Sequence, residues 1–292
     1  MRRQNGQTVQ HVVIDGGSTD GTLEILKKHP EVHVVSEPDE SSHHALNKGL
    51  SMAEGEIIGF LNTDDWYEDD AFRIVERAFA DDPELDMLCG DVVFVVEEDV
   101  GKFVHAFRRG HRNGQGMFEE LTLGAPAFNS WFFRRRLVKK LGQFKTEYGF
   151  SADRDFLIRG VQMGKVSSTT KLFYNYSRHH GSRTMSGDKD ARCLIHREHI
   201  EMARRFLAED GLDPSLERCL KNWQALEKAR LGGLELKRLR LFRAFGVILG
   251  AIVSDPIWVW SLGKAIAAKL RMQKEDRATT QAVNIGSVIA AK

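Results

Sequence analysis

Three places in the sequence put carboxylates where chemistry could use them. The first is Asp15-Gly16-Gly17-Ser18-Thr19-Asp20-Gly21, directly after the apolar run Val12-Val13-Ile14. Paired glycines permit a tight turn and close backbone approach to a ligand, and Ser18 or Asp20 can cap the helix that follows. Asp15 could accept hydrogen bonds from a base or ribose; a capped turn without a ligand would need the same residues. The second place is Asn62-Thr63-Asp64-Asp65, after the run Ile57–Leu61. Adjacent carboxylates repel, and one is driven towards protonation unless a cation or hydrogen-bond donors are present. A divalent cation resolves the conflict, since Mg²⁺ takes one or two carboxylates together with phosphate oxygens, as a nucleotide-diphosphate leaving group requires. The competing reading is a pair of aspartates that cap a helix. The third place is Ser151-Ala152-Asp153-Arg154-Asp155. Asp153 has the chemistry of a general base for an acceptor hydroxyl, and also that of an acid complementing the helix dipole. Asp155 and Arg159, four apart, are expected to pair on a helix surface.

The elements that must position these residues alternate between strand and helix. Strands are expected at 12–14, 32–35 and 57–61, and helices at 22–29, 42–53 and 68–80, which is the pattern of parallel strands with crossover helices. The helix over 42–53 ends before Gly55, which suits a left-handed stop. Strands at 92–96 and 102–107 follow as an antiparallel pair. Beyond them come an aromatic strand at 131–133, a basic helix at 134–141, a helix at 152–163 and a last strand at 166–176. In an open α/β sheet, ligands bind beyond the carboxyl ends of strands, where Asp15 and Asp64-Asp65 fall. After about residue 185 only helical patterns remain. The expected organisation is a catalytic domain over 1–185, a helical region over 186–278 and a frayed tail over 279–292.

Composition narrows the function classes. Lys and Arg number 42 against 41 Asp and Glu, so the charge balance offers no case for a nucleic-acid partner. Cys89, Cys193 and Cys219 are far apart and lack CxxC spacing, which suggests neither a disulfide framework nor a zinc site and fits a reducing cytosol. Met1 to His11 is polar, without the apolar run of a signal peptide. The apolar stretches 241–253 and 257–262 are broken by Ser254-Asp255-Pro256 and flanked by Arg238, Arg240, Arg243, Lys264, Lys269 and Arg271. An Asp at mid-bilayer costs about 2.5–3.5 kcal/mol on insertion scales, so interfacial helices over 241–271 are expected rather than a span. Helices packed on the rest of the chain are the alternative.

The segments Val13–Thr22, Ser36-Glu37-Pro38-Asp39, Asn47-Lys48-Gly49, Gly55–Gly59 and Leu61–Asp65 occur in an order that resembles family 2 glycosyltransferases of the GT-A fold, closest to the colanic acid type. The resemblance covers about residues 2–185. It implies a Rossmann-like mixed α/β sheet with a helical C-terminal region, and a metal-dependent, inverting transfer of a sugar from a nucleotide sugar to a hydroxyl of a glycan or lipid-linked acceptor. By it Asp15, Asn47, Lys48 and Asp64 contact the nucleotide sugar, and Asp64 and Asp65 hold Mg²⁺ or Mn²⁺, Asp65 directly. Asp153 is the base, with Ala152 at a place often occupied by Glu. Gly16 and Asn62 depart from acidic residues frequent in relatives. His43-His44 replaces a Tyr-Asp pair and is expected in a solvated loop. Residues 178–183, Arg-His-His-Gly-Ser-Arg, could close over a diphosphate or form an ordinary exposed loop. The fold's usual first strand is expected to be missing, as in an N-terminally shortened chain, leaving the edge at Val12–Ile14 open; a catalytically impaired, nucleotide-sugar-binding relative is the second function this implies.

Overall fold

The computed structural model describes residues 9–99, 102–109, 115–178, 189–238 and 241–279, and the first element among them is β1 (His11–Asp15). There follow α1 (Thr22–Leu26), β2 (Val32–Ser36), α2 (Ser42–Met52), β3 (Ile57–Gly59), β4 (Trp66–Tyr67), α3 (Ala71–Asp81), β5 (Met87–Asp99) and β6 (Lys102–Arg109). Then come α4 (Gln115–Thr122), β7 (Trp131–Arg134), α5 (Arg135–Leu141), α6 (Ala152–Met163) and β8 (Val166–Arg178). The remainder is helical: α7 (Lys189–Phe206), α8 (Pro214–Lys237), α9 (Leu241–Ser254) and α10 (Trp258–Thr279). The mixed α/β architecture with a helical C-terminal region is the one the motif order implied.

Most departures from expectation have local causes. Helix α1 stops at Leu26 rather than near His29 and buries none of its residues, so no tertiary contact extends so short a helix. Helix α2 is capped by Ser41, whose Oγ accepts the His44 N–H at 3.1 Å. Its other end leaves through Ala53 in an extended conformation, and Gly55 is not among the positive-φ glycines, so the expected left-handed stop is absent. Strand β3 ends at Gly59, two residues earlier than expected. A Cβ there would lie 2.7 Å from the Phe132 ring and 3.0 Å from Tyr67 Oη, so glycine alone lets this strand pack as closely as it does.

The strands form two sheets. β1 pairs in parallel with β2, with Asp15 opposite Ser36, and among the described residues it pairs with no other strand. The larger sheet has the order β3-β7-β5-β8-β4, with β6 also paired to β5. Here β3 with β7, β5 with β7 and β4 with β8 are antiparallel. The expected domain boundary near 185 falls outside the described residues, as do the basic stretch over 179–183 and the tail beyond 279. The described residues divide into two compact units, one drawn from 9–92 and 127–175, the other from 93–126 and 176–279.

The core of the first unit is aromatic. Phe60, Phe128, Phe133, Phe144 and Phe156 are all buried, with Phe144 and Phe156 stacked at 4.3 Å. In the second unit, α8 is capped by Asp213, whose Oδ1 accepts from Ser215 N at 2.7 Å and Leu216 N at 3.2 Å, with Pro214 at the first helical position. α8 packs against α4, α7, α9 and α10.

Candidate active site

Asp15 ends β1 and is 6% exposed. Its Oδ2 accepts from Gly17 N and Ser18 N, both at 3.0 Å, and from Ser36 Oγ at 2.6 Å. Gly17 takes φ 89°, which only glycine adopts without strain, and this brings the turn's N–H groups onto the carboxylate. The side chain of Ser18, then that of Ser36 and the Ser18 N–H, hold the Asp15 pKa down at about 2, so the group stays ionised. One oxygen is thus committed to closing the turn, as a turn without a ligand would also require, while Oδ1 takes none of these three donors.

Beside this turn lies a charged cluster. Lys48 on α2 meets Glu37 at 2.6 Å and Asp39 at 2.7 Å, and these bonds, that to Asp39 first, raise its pKa. His44, also on α2, lies 3.6 Å from Asp39. Asp39 Oδ2 is 3.9 Å from where a Cβ on Gly16 would stand, so bare glycine backbone and the Asp39 carboxylate face one another. The Ser36–Asp39 segment alone gives Asp39 no role; its place beside Gly16 and Lys48 is visible only in the fold.

The second acidic element is split by burial. Asp64 is exposed, whereas Asp65 is 9% exposed. Asp65 Oδ2 accepts from Tyr174 Oη at 2.7 Å and from Asn62 Nδ2 at 3.0 Å. Tyr174 Oη in turn accepts from Asn129 Nδ2 at 2.7 Å and from Asn62 N at 3.2 Å. Tyr67 donates to the Phe60 carbonyl at 2.7 Å, its ring edge-on to Tyr174. Burial, above all, pushes both phenols far above their ordinary pKa, so they remain protonated donors. Hydrogen-bond donors therefore answer part of the charge repulsion that the sequence assigned to a metal. The pair still fits a hard divalent cation: Asp64 presents an exposed carboxylate, and Asp65 Oδ1 is the oxygen not used by Tyr174 or Asn62.

Asp153 lies in the first turn of α6. Desolvation raises its pKa above the aspartate range; the charge and N–H of Arg154 and the neighbouring His43 oppose that rise without cancelling it. His43 is the neighbour that sequence reasoning misplaced. It stands in the first turn of α2, is 7% exposed and lies against Phe144, so the expected solvated loop is corrected to a buried position near Asp153. An imidazole in place of a Tyr is apolar enough on its faces to be covered by Phe144, which a loop assignment from polarity alone does not foresee.

Asn47, expected at the nucleotide sugar, is 6% exposed and uses both ends of its amide on one residue. Nδ2 donates to the Phe144 carbonyl at 3.0 Å and Oδ1 accepts the Phe144 N–H at 2.8 Å. Asp155 and Arg159 do pair, at 2.7 Å, but Asp155 is fully buried, so the expected surface pair is an interior one. Arg159 also donates to the carbonyls of Leu141 and Gln143, and Lys145 meets Asp155 at 3.2 Å. Loop 141–145 is therefore clamped from α2 and from α6.

Two elements connect the three acidic segments within the first unit. Helix α2 sends His44 and Lys48 to the Asp39 cluster and His43 and Asn47 to the Asp153 side. Phe60, two residues before Asn62, packs edge-on against Phe144 at 5.5 Å.

Residues 1–142 match the sequence model described as Glycosyl transferase family 2. A chondroitin synthase of Pasteurella multocida is 28% identical over 188 residues, covering 63% of this chain and 19% of that protein. A PGL/p-HBAD biosynthesis glycosyltransferase of Mycobacterium bovis is 30% identical over 168 residues, covering 54% of this chain and 60% of that protein. The chain thus spans less than two thirds of the length of either relative. Among solved structures, S. aureus TarS superposes with a TM-score of 0.52 at 16% identity, over 91% of this chain and 50% of that one, a likeness of fold. Motif order, sheet architecture and sequence match agree that residues 1–142 carry a glycosyl transferase family 2 region.

Proposed function

We propose that this chain transfers one sugar from a nucleotide-diphosphate sugar to a hydroxyl acceptor in bacterial surface polysaccharide or glycolipid synthesis, with inversion at the anomeric carbon. The observation that carries the proposal is the joining of three acidic segments through α2 and Phe60, with the Asp153 carboxyl held above the ordinary range by desolvation. In that arrangement the ionised Asp15 and the Gly16–Asp39 contact supply the base and ribose side, and Lys48 orders the Asp39 loop. Asp64 is the main metal contact and Asp65 the supporting one, since Tyr174 and Asn62 already engage Asp65 Oδ2. Mg²⁺ or Mn²⁺ bound there would offset diphosphate charge as the leaving group departs. Asp153 accepts the proton of the attacking hydroxyl, and its raised pKa makes it a better base at neutral pH. A single in-line displacement inverts the centre.

The second unit carries an apolar face of its own. Helix α9 buries Ala244 and Ala251 but exposes Leu241, Phe242, Phe245, Leu249, Ile252 and Val253, with Phe242 at 94%. Its two buried positions are alanines while six of its large apolar side chains face out, the reverse of a core helix. No single described helix is long and apolar enough to cross a membrane, and α9 and α10 meet at 103°. Peripheral seating of these helices in a lipid surface, with a lipid-linked acceptor, accounts for that inversion.

Incubation with a panel of nucleotide sugars and Mg²⁺ or Mn²⁺ tests the catalytic reading, with the product anomer assigned by NMR. Metal-dependent transfer with inversion is expected, and EDTA should abolish it. Turnover that persists in metal-free buffer, or a product of retained configuration, would overturn the mechanism. Donor binding without turnover would favour the impaired relative.

A further inference from the structure

The helical unit contains a ligand set that sugar transfer does not use. His196 and His199 stand three residues apart on α7, a spacing that sets both rings on one face. That face meets Glu227 on α8, which is 1% exposed. Both Nδ1 atoms approach the same oxygen, Glu227 Oε2, that of His199 at 3.3 Å, and a ligand atom from each of the three lies within 4.8 Å of the other two. The other carboxylate oxygen is occupied differently: Arg230 donates to Oε1 at 2.7 Å. Trp223, one turn earlier on α8, covers the His199 ring at 4.8 Å.

We propose that His196, His199 and Glu227 form a binding site for a transition-metal ion of the zinc class, which clamps α7 to α8. Two imidazole nitrogens and one carboxylate oxygen are a donor set for Zn²⁺, with Co²⁺ as its spectroscopic analogue, and a poor one for Mg²⁺ or Ca²⁺, which prefer oxygen throughout. Bonds of about 2.0–2.1 Å in tetrahedral geometry place ligand atoms about 3.4 Å apart, close to the 3.3 Å between His199 Nδ1 and Glu227 Oε2. His196 Nδ1 approaches the same carboxylate oxygen. Arg230 holds the carboxylate from its far oxygen, the place of an outer partner that orients a ligand. Water completes the fourth position. The alternative is a clasp of protons alone, in which N–H donors and Arg230 satisfy a buried carboxylate without any metal.

The test uses the full chain in an Asp64→Asn, Asp65→Asn background, which removes the oxygen site, stripped with chelator and titrated with Co²⁺ and then Zn²⁺. One equivalent of Co²⁺ should give a visible d–d band of four-coordinate intensity, displaced by Zn²⁺ and untouched by excess Mg²⁺. Zn²⁺ should raise the melting temperature. His199→Gln and His196→Gln should each weaken Zn²⁺ binding at least about tenfold and remove that rise. Glu227→Gln, which keeps the buried volume, should do the same if a histidine variant fails to fold. Absence of a Co²⁺ band, or a band unchanged in folded His196 and His199 variants, would overturn the proposal and leave the proton clasp.

Discussion

Each acidic residue has a distinct environment, and that sets its expected behaviour. Asp153 carries a pKa raised by desolvation. A group raised in this way contributes stability below its ordinary value of 3.8, and that contribution is lost as pH rises through the folded value, so at neutral pH the ionised side chain costs stability. Asp153→Asn should therefore hold or raise the melting temperature at pH 7 while lowering kcat about 10²- to 10⁴-fold with little change in donor affinity. A variant that melts early and loses donor binding would make Asp153 structural. Asp15 has the opposite sign. Its pKa is depressed to about 2, so it contributes stability above 3.8 that is lost as pH falls through about 2. Urea titrations should show Asp15→Asn less stable than wild type at pH 7, with the gap closing between those two values; a gap that is constant with pH would mean that the Ser18 and Ser36 bonds do not favour the charge. Tyr174→Phe removes the acceptor of Asn129 Nδ2 and a donor to Asp65. A loss of about 1–3 kcal/mol is expected in chemical denaturation, together with weaker metal activation.

Among the elements, α2 does most to position the site, and Asn47 is the residue that tests this. The motif placed it at the nucleotide sugar, whereas the fold has its amide spanning the Phe144 backbone. Asn47→Ala strands a buried N–H and a buried carbonyl, for an expected cost of about 1–3 kcal/mol each. If the clasp is its role, stability falls and the donor Kd measured on the folded fraction changes little. Unchanged stability with a weakened donor Kd would restore the expected nucleotide contact. Both roles demand a small amide four residues after His43, so the sequence could show that the residue mattered and not where its amide would go. Asp155–Arg159 teaches the same point: spacing of four foretold the pair, and only the packing of loop 141–145 against α6 turned a surface pair into a buried one.

For the whole molecule, the question is what meets the outward face of α9. Of the flanking cations, Arg238 is engaged with Asp190, Lys269 with the Leu123 carbonyl and Arg271 with Glu119, while Arg240 lies outside the described residues. Arg243 and Lys264 are exposed. Vesicle binding should therefore depend more on apolar insertion than on charge. Flotation with vesicles containing anionic lipid is expected to survive 0.5 M salt with about a fewfold loss, because screening reaches exposed charges and spares buried apolar area. Phe242→Asp together with Phe245→Asp should abolish it without disturbing α8, since neither ring is part of the core. A wild-type chain that stays at the bottom of the gradient would assign this face to something other than lipid.

The sequence by itself carried the family 2 resemblance, most of the strands and helices though neither β4 nor α4, and the three acidic segments. These follow from local rules: apolar periodicity, glycine at turns and side-chain spacing along one element. The apolar spacing also marked α6 with its observed bounds, Ala152–Met163. Tertiary structure decided what each polar atom does. Whether Asp64 or Asp65 faces water depends on Tyr174, 109 residues from Asp65. Whether His43 is solvated depends on Phe144, and the grouping of 93–126 with the C-terminal helices depends on contacts that no single segment announces. Burial and hydrogen-bond partnership are properties of pairs distant along the chain, and a linear pattern carries no record of which pairs form.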